Sequence, residues 1–305
     1  MNRVFLAFLS ILVVYLNGIA QDSLQTVIAQ KGDGIFSVLR KEGLNPSKYY
    51  AEFVALNTEN LRNGSELHLG RAYKIPNAPD SFKETGKAIN IVNGVEEPLF
   101  SSELNKISVK SDKLNKAVYY LIAEDNNVNT AFGATIVSEL ARELLVNGAQ
   151  VYLMESDTLL NKKHDFRRVQ EYVETINKRY LKHTGKYQRL LIIRSTGEIK
   201  NRKLNVAIYH HSKSEEGQKF ADNIKAVVKR NSITNRSVKD FSEIFENDND
   251  LFLAKNVLPA ISVIDVSADL KFKNEQFSVY SDKRTFAKWV TKGMFNDYAE
   301  LDIEK

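Results

Sequence analysis

Ala117-Val-Tyr-Tyr-Leu-Ile122, a run at 135–147 closed by Gly148, and Ala149-Gln-Val-Tyr-Leu-Met154 form the stretch on which the fold turns. Both short runs are apolar without polar alternation, as strands buried on two faces require. The apolar residues between them recur at helical spacing, and Gly148 supplies the stop. The pattern continues outward, with a helix at 166–181, strands at 190–193 and 206–209, a helix at 215–229, a strand at 259–266 and a closing helix at 285–298. Strands alternating with helices predict an α/β domain with a mostly parallel central sheet. It is placed at 98–298, with 299–305 as a tail.

Upstream, alternation around Ile89, Ile91 and Val92, and again around Leu104, Ile107 and Val109, suggests short strands that begin this domain. Residues 77–97 are polar at their start and punctuated by Pro79 and Gly86, and are expected to be a linker. A small module is expected at 26–76. Its first strand lies at 26–29, and Lys31-Gly32-Asp33-Gly34 is turn chemistry. A helix follows, with Ile35, Phe36, Val38 and Leu39 as its apolar face and Gly43 at its end. Asn45-Pro46-Ser47 opens a second helix with Tyr50, Phe53, Val54 and Leu56 as its buried side, ending near Asn57. Leu67-His68-Leu69, Gly70 and Tyr73-Lys74-Ile75-Pro76 complete a second strand region, so the module has the order βααβ.

Residues 1–20 read as a cleavable signal peptide. Arg3 gives a positive start, 4–16 is an apolar run too short to span a bilayer, and Gly18-Ile19-Ala20 places small residues where a signal peptidase cuts. No integral membrane segment is expected after cleavage. The 43 basic and 38 acidic residues leave a formal charge of only +5, with no Arg-rich or aromatic-interleaved stripe; this argues against nucleic-acid binding and for mild attraction to an anionic surface. The absence of cysteine excludes disulfides, Cys-ligated zinc, a thiol nucleophile and a lipidated-cysteine anchor.

The Lys31-Gly32-Asp33 turn, the Leu56-Asn57 helix exit and the closing Gly70-x-x-Tyr73-x-Ile75-Pro76 resemble a LysM domain over the whole of 26–76. The resemblance implies a shallow groove for N-acetyl glycans such as peptidoglycan. It nominates Gly32, Asp33, Gly34 and Ile35 on one wall and Leu56 and Asn57 on the other. The usual Asp-Thr-Leu is Asp33-Gly34-Ile35 here, and the loop from Asn57 to Leu67 is longer than normal.

Further on, 114–122, Glu139-Leu-Ala-Arg-Glu-Leu-Leu-Val-Asn-Gly-Ala-Gln-Val151, Val206-Ala-Ile-Tyr-His-His-Ser-Lys-Ser-Glu-Glu-Gly217, Leu258-Pro-Ala-Ile-Ser-Val263 and 284–293 around Trp289 resemble the zinc-dependent N-acetylmuramoyl-L-alanine amidases. In that family two His and one Glu hold Zn²⁺, and a further Glu serves as general base. Here the first His falls at Asp125 or Asn126, the Glu ligand near Asn129, the second His at Arg194 and the catalytic Glu at Ile264. Arginine has no lone pair to offer a metal. Asp265 is expected to face away from the site, because neighbours on a strand point to opposite faces. His68, His164, His183, His210 and His211 show no ligand spacing, while Glu124, Asp125 and Asp157 are candidates to gather at the strand ends.

The resemblance therefore implies an exported, periplasmic or wall-associated peptidoglycan-binding protein. Its amidase-like domain is expected to have no catalytic residue, metal or cofactor, and to hold wall peptide or regulate a cell-wall hydrolase. An active amidase with an altered metal site and a structural adaptor of an envelope complex are the alternatives.

Overall fold

The computed structural model describes residues 24–125, 131–155, 166–196, 202–233, 243–267 and 277–303. The signal-peptide reading falls outside them. Among the described residues no helix is long and apolar enough to cross a membrane. The chain forms two compact units, one comprising residues up to Leu39 with Pro46–Ala78, the other Arg40–Asn45 with Pro79 onward.

In the smaller unit β1 (Thr26–Ile28) pairs antiparallel with β2 (Ala72–Lys74), setting Val27 opposite Tyr73. Between them lie α1 (Ile35–Lys41) and α2 (Pro46–Asn57). Ile35, Val38 and Leu39 are one helical face apart from Phe36, so the first three are buried and Phe36 is 48% exposed, contrary to expectation. In α2 the inner face is Tyr49, Phe53 and Asn57, at four-residue spacing. Tyr50, Val54 and Leu56 are only partly buried. The expected strand at Leu67-His68-Leu69 is absent, and Leu69 stands exposed in a turn. Asn57 ties helix to sheet. Its Nδ2 donates to the carbonyls of Phe53 and Lys74 at 2.8 Å each, and its Oδ1 accepts from Lys74 N at 2.7 Å.

The larger unit carries a nine-stranded sheet. In chain order it contains α3 (Phe82–Thr85), β3 (Gly86–Asn90), β4 (Glu96–Pro98), β5 (Ala117–Asp125), α4 (Phe132–Leu145), β6 (Gln150–Glu155), α5 (Phe166–Lys182) and β7 (Tyr187–Thr196). It continues with β8 (Lys203–His210), α6 (Glu215–Arg230), β9 (Glu243–Ile244), α7 (Asp248–Asn256), β10 (Ala260–Ser267), β11 (Phe277–Tyr280) and α8 (Lys283–Ile303). The strand order is β11-β8-β10-β7-β5-β6-β3-β4, with β9 beside β8. The five strands from β10 to β3 run parallel, whereas β4 is antiparallel to β3, and β8 is antiparallel to both β10 and β11 and parallel to the short β9. The α/β class with a mostly parallel sheet is thus realised.

The linker expected at 77–97 is corrected. Gly86 pairs with Val151 and Ile89 with Met154, so β3 belongs to the sheet, and Phe82 is buried in its core. The polar surface of this segment concealed the few apolar residues that anchor it. The strand expected around Leu104, Ile107 and Val109 is instead a 3₁₀ helix, Ser101–Lys106, which buries Leu104. Ile107 is also buried, and Val109 is exposed. Part of the expected tail is helix, since α8 runs to Ile303.

Helices cover both faces of the sheet. Ile136 and Leu140 of α4, Phe220 and Ile224 of α6, and Phe286 and Val290 of α8 pack against Tyr119, Leu121, Ile193 and Ile264. Val169, Tyr172 and Ile176 of α5 and Leu253 of α7 pack against Val118, Tyr120, Ile122, Ile192 and Val263. Alternate residues of one strand therefore enter different cores, which explains runs with no polar partner.

Helices α6 and α8 approach closely at Gly293, where a Cβ would stand 2.4 Å from the Ile224 Cα and 2.9 Å from its N. Gly293→Ala must push two backbones apart. It is expected to destabilise the larger unit by about 1–3 kcal/mol in urea unfolding; unchanged stability would show that the helices do not approach this closely.

Candidate functional site

Open parallel sheets place ligands beyond the carboxyl ends of their strands, so the site is built there. At that edge β5, β7 and β10 lie side by side, and the register sets Glu124, Arg194 and Asp265 in one row. Arg194 Nε donates to Glu124 Oε2 at 2.8 Å, and its NH1 donates to Asp265 Oδ1 at 3.3 Å. Asp250, from the first turn of α7, takes the outer fork. NH2 donates to its Oδ1 at 2.8 Å and NH1 to its Oδ2 at 3.1 Å. Asp250 is held in turn by Asn247, whose Oδ1 caps α7 by accepting from Asp250 N at 2.8 Å and whose amide donates to the same carboxylate. Four N–H bonds nearly exhaust the five that a guanidinium has.

Burial works against charge on Arg194, but Glu124, Asp250 and Asp265 outweigh it and hold the guanidinium above its ordinary pKa. Asp265 is pushed up to about 6, chiefly by burial and further by Asp250 and Glu124, with Arg194 opposing. Burial also raises Tyr209 of β8, and Asp265, Glu243 and Glu246 add to it.

Two expectations about this edge change. Ile264 is fully buried against the α4, α6 and α8 side, whereas Arg194 faces the α5 and α7 side, so those two positions do not share a site. Asp265, expected to face away, is the residue that meets Arg194, because strand alternation carries it onto Arg194's face. Asp125 lies on the other face from Glu124 and caps α4. Its Oδ1 accepts from Gly133 N at 2.7 Å and its Oδ2 from Ala134 N at 2.9 Å, an anion on the positive end of a helix. A side chain at position 133 would bring a Cβ to 2.9 Å from that Oδ1. Asn126, Asn129, Asp157 and His164 lie outside the described residues.

The other histidines are dispersed. Tyr152 OH and His183 Nε2 lie 2.8 Å apart, His210 Nδ1 is 3.0 Å from the His211 carbonyl, and His68 lies in the smaller unit beside Tyr73. Among the described residues no three His, Asp or Glu side chains are arranged to hold a metal ion. The resemblance implies zinc, yet the matching positions that are described hold a helix-capping Asp125, a fixed cation at Arg194 and an apolar Ile264. These residues do not fit a hydrolytic zinc.

In the smaller unit Gly32 has φ +88°, and neither Gly32 nor Gly34 has an atom within 4 Å of where a Cβ would stand. Asp33 shapes the turn by accepting from Gln30 N at 2.9 Å and Ser37 Oγ at 3.3 Å. Ile35 is core, and the Asn57 amide is fully engaged with Lys74 and Phe53, so neither presents its side chain to a sugar. What remains of the nominated surface is the turn at Gly32, Asp33 and Gly34, with the half-buried Leu56.

Asp250 escaped sequence reading because α7 did. Its signal is local, an Asn followed three residues later by an acid, a variant of the capping box.

The raised Asp265 pKa gives a signed expectation. Folded, this carboxyl holds its proton up to about 6 rather than the ordinary 3.8, so folding is favoured as pH falls through that window and the penalty is fully present above it. Asp265→Asn is therefore expected to raise stability at pH 7.5 by on the order of 1–3 kcal/mol and to matter little near pH 4, read by urea unfolding. Greater destabilisation at pH 7.5 than near pH 4 would mean that the bond to Arg194 outweighs burial.

No family model matches this sequence. No curated protein matches it either. Solved structures similar to it include the CwlD amidase of Clostridioides difficile in complex with the GerS lipoprotein, at 14% identity and TM-score 0.38, covering 62% of this chain and 100% of that one. An N-acetylmuramoyl-L-alanine amidase of Clostridium difficile 630 is 12% identical with TM-score 0.37, over 61% of this chain and 98% of that one. A metallo-carboxypeptidase of Burkholderia cenocepacia is also 12% identical with TM-score 0.37, over 65% and 60% respectively.

Proposed function

We propose that this is an exported envelope protein that binds peptidoglycan through its smaller unit and whose larger unit is an amidase-like scaffold without hydrolytic activity. The observation that carries the second part is Arg194. At the strand end where the sequence resemblance puts a zinc-binding His stands a guanidinium held by Glu124, Asp250 and Asp265. A permanent cation there repels a divalent metal by several kcal/mol at intermediate dielectric and supplies no metal-activated water. The first part is supported by the βααβ order and by the open backbone of the turn at Gly32 and Gly34. The leader-like residues 1–20 support export. In this reading the larger unit holds wall peptide or a cell-wall hydrolase, since function resides in sites rather than folds.

The test uses purified full chain and isolated sacculi. The protein is expected to co-sediment with sacculi, to retain no stoichiometric zinc after dialysis and to release no stem peptide. Gly34→Trp, placed where there is open space, is expected to weaken co-sedimentation without unfolding the chain. Near-stoichiometric zinc with chelator-sensitive peptide release would make the chain a working amidase. Equal recovery with and without sacculi would remove the glycan role.

A further inference from the structure

Asn-Gly occurs at 17–18, 63–64, 93–94 and 147–148. The first lies outside the described residues, and in the other three the glycine has a positive φ, 75°, 70° and 91° in turn. With no Cβ to shield it, a glycine nitrogen is the least hindered nucleophile that the backbone offers to the asparagine amide before it. What separates the three steps is whether that nitrogen and that amide are already committed.

The Gly94 N–H donates to the Asn90 carbonyl at 2.8 Å, and Asn93 Oδ1 accepts from Val95 N at 3.0 Å. The Gly148 N–H donates to the Leu145 carbonyl at 2.9 Å. Asn147 is tied down as well, its Nδ2 donating to the Glu143 carbonyl at 2.7 Å and its Oδ1 accepting from Ser111 Oγ at 2.8 Å. Asn63 and Gly64 differ. They form the exposed tip of a turn in the loop between Asn57 and Leu67, closed by Arg62 and Glu66, which exchange backbone bonds of 2.9 and 2.8 Å. The Gly64 N–H has no acceptor among the described residues, and no atom beyond its chain neighbours stands within 4 Å of where a Gly64 Cβ would be. The hold on the Asn63 amide is Nδ2 donating to Glu66 Oε2 at 3.4 Å, too long to fix it.

We propose that Asn63 is a site of spontaneous deamidation, and that the fold protects Asn93 and Asn147 from the same reaction. The Gly64 nitrogen gives its proton to solvent base and attacks Asn63 Cγ, closing a succinimide ring. The Cγ–Nδ2 bond breaks, and the amide nitrogen leaves as ammonia with a proton from solvent. Water then opens the ring at either carbonyl, giving aspartate or isoaspartate. The turn gains a negative charge beside Glu66, whose Oε2 stands 3.9 Å from Arg62 Nε, and isoaspartate adds a methylene to the backbone inside the Arg62–Glu66 closure.

The test is peptide mapping by mass spectrometry of the full chain, kept folded at mildly alkaline pH, sampled over time and digested at acid pH so that handling adds no conversion. Asn63 is expected to convert first, and Asn93 and Asn147 at least about tenfold more slowly, since each of their glycine nitrogens must first leave a hydrogen bond. In denaturing urea the three rates are expected to come within about threefold of one another, because there only the shared Asn-Gly sequence acts. Asn63→Gln is expected to remove the early acidic species seen by ion exchange, with circular dichroism checking its folding; the native-chain rates decide by themselves if that variant does not fold. Conversion of Asn93 or Asn147 as fast as Asn63 in the folded chain would overturn the proposal. So would an intact Asn63 in folded chain over a time in which urea converts it. The same spread of rates in urea as in the folded chain would overturn it too, by tracing the order to neighbouring residues rather than to the fold.

Discussion

A guanidinium withdrawn from water at the end of a central strand needs charge and hydrogen bonds from every side within reach, or its desolvation costs several kcal/mol. Arg194 is supplied from β5 by Glu124, from β10 by Asp265 and from α7 by Asp250. The parallel register makes this possible, since it lines up three neighbouring strands so that their side chains meet across one face. Helix α7 is only nine residues long, and its attachment to the sheet rests on Leu253 below and on the Asp250 fork at its first turn. A short helix of this kind has little stability of its own. Losing Arg194 itself would leave the surrounding carboxylates without their cation, a larger effect than the net value of any one pair.

The same strand carries a second buried arginine five residues earlier, and an odd separation turns it to the other face. Arg189 Nε donates to Asp297 of α8 at 3.1 Å and its NH1 to Glu216 of α6 at 2.8 Å. Tyr187 donates to the same Asp297. Burial opposes charge on Arg189 as well, and Tyr187, Asp297 and Glu216 more than restore it. Strand β7 is thus pinned to the helices on one side by Arg189 and on the other by Arg194. Between the two arginines Leu190, Leu191, Ile192 and Ile193 are fully buried, so the polar ties sit at the ends of an apolar strand and leave its centre dry.

The alternating elements of the larger unit were legible because a parallel sheet covered on both faces writes itself as short apolar runs between amphipathic helices. The βααβ order of the smaller unit was legible for the same kind of reason, through the turn at Gly32 and the helix start at Pro46. Periodicity gives no depth, however. Phe36 and Ile35 differ only by one step round a helix, and it is packing that leaves one exposed and the other core. Segment 77–97 was misread because its anchors, Phe82 and Ile89, are few among polar residues. The site was harder still. Arg194 and the offset of Asp265 from Ile264 can be read from strand alternation, but which of the two neighbours faces Arg194 depends on register between strands far apart in sequence. Asp250 depends on a helix revealed only by its cap.

These arrangements give the strand ends of the larger unit an excess of acidic groups. The edge row offers three carboxylates to one guanidinium, so once Asp265 ionises above pH 6 two carboxylate charges have no equivalent cation inside the cluster. A scaffold that held Zn²⁺ would have one strong positive centre at the strand ends, drawing carbonyl and carboxylate oxygens to it. With Arg194 enclosed by acids, that edge attracts cationic groups instead. An internal ion cluster with acids in excess therefore sets a negative field at the place where the sheet is shaped to receive a ligand.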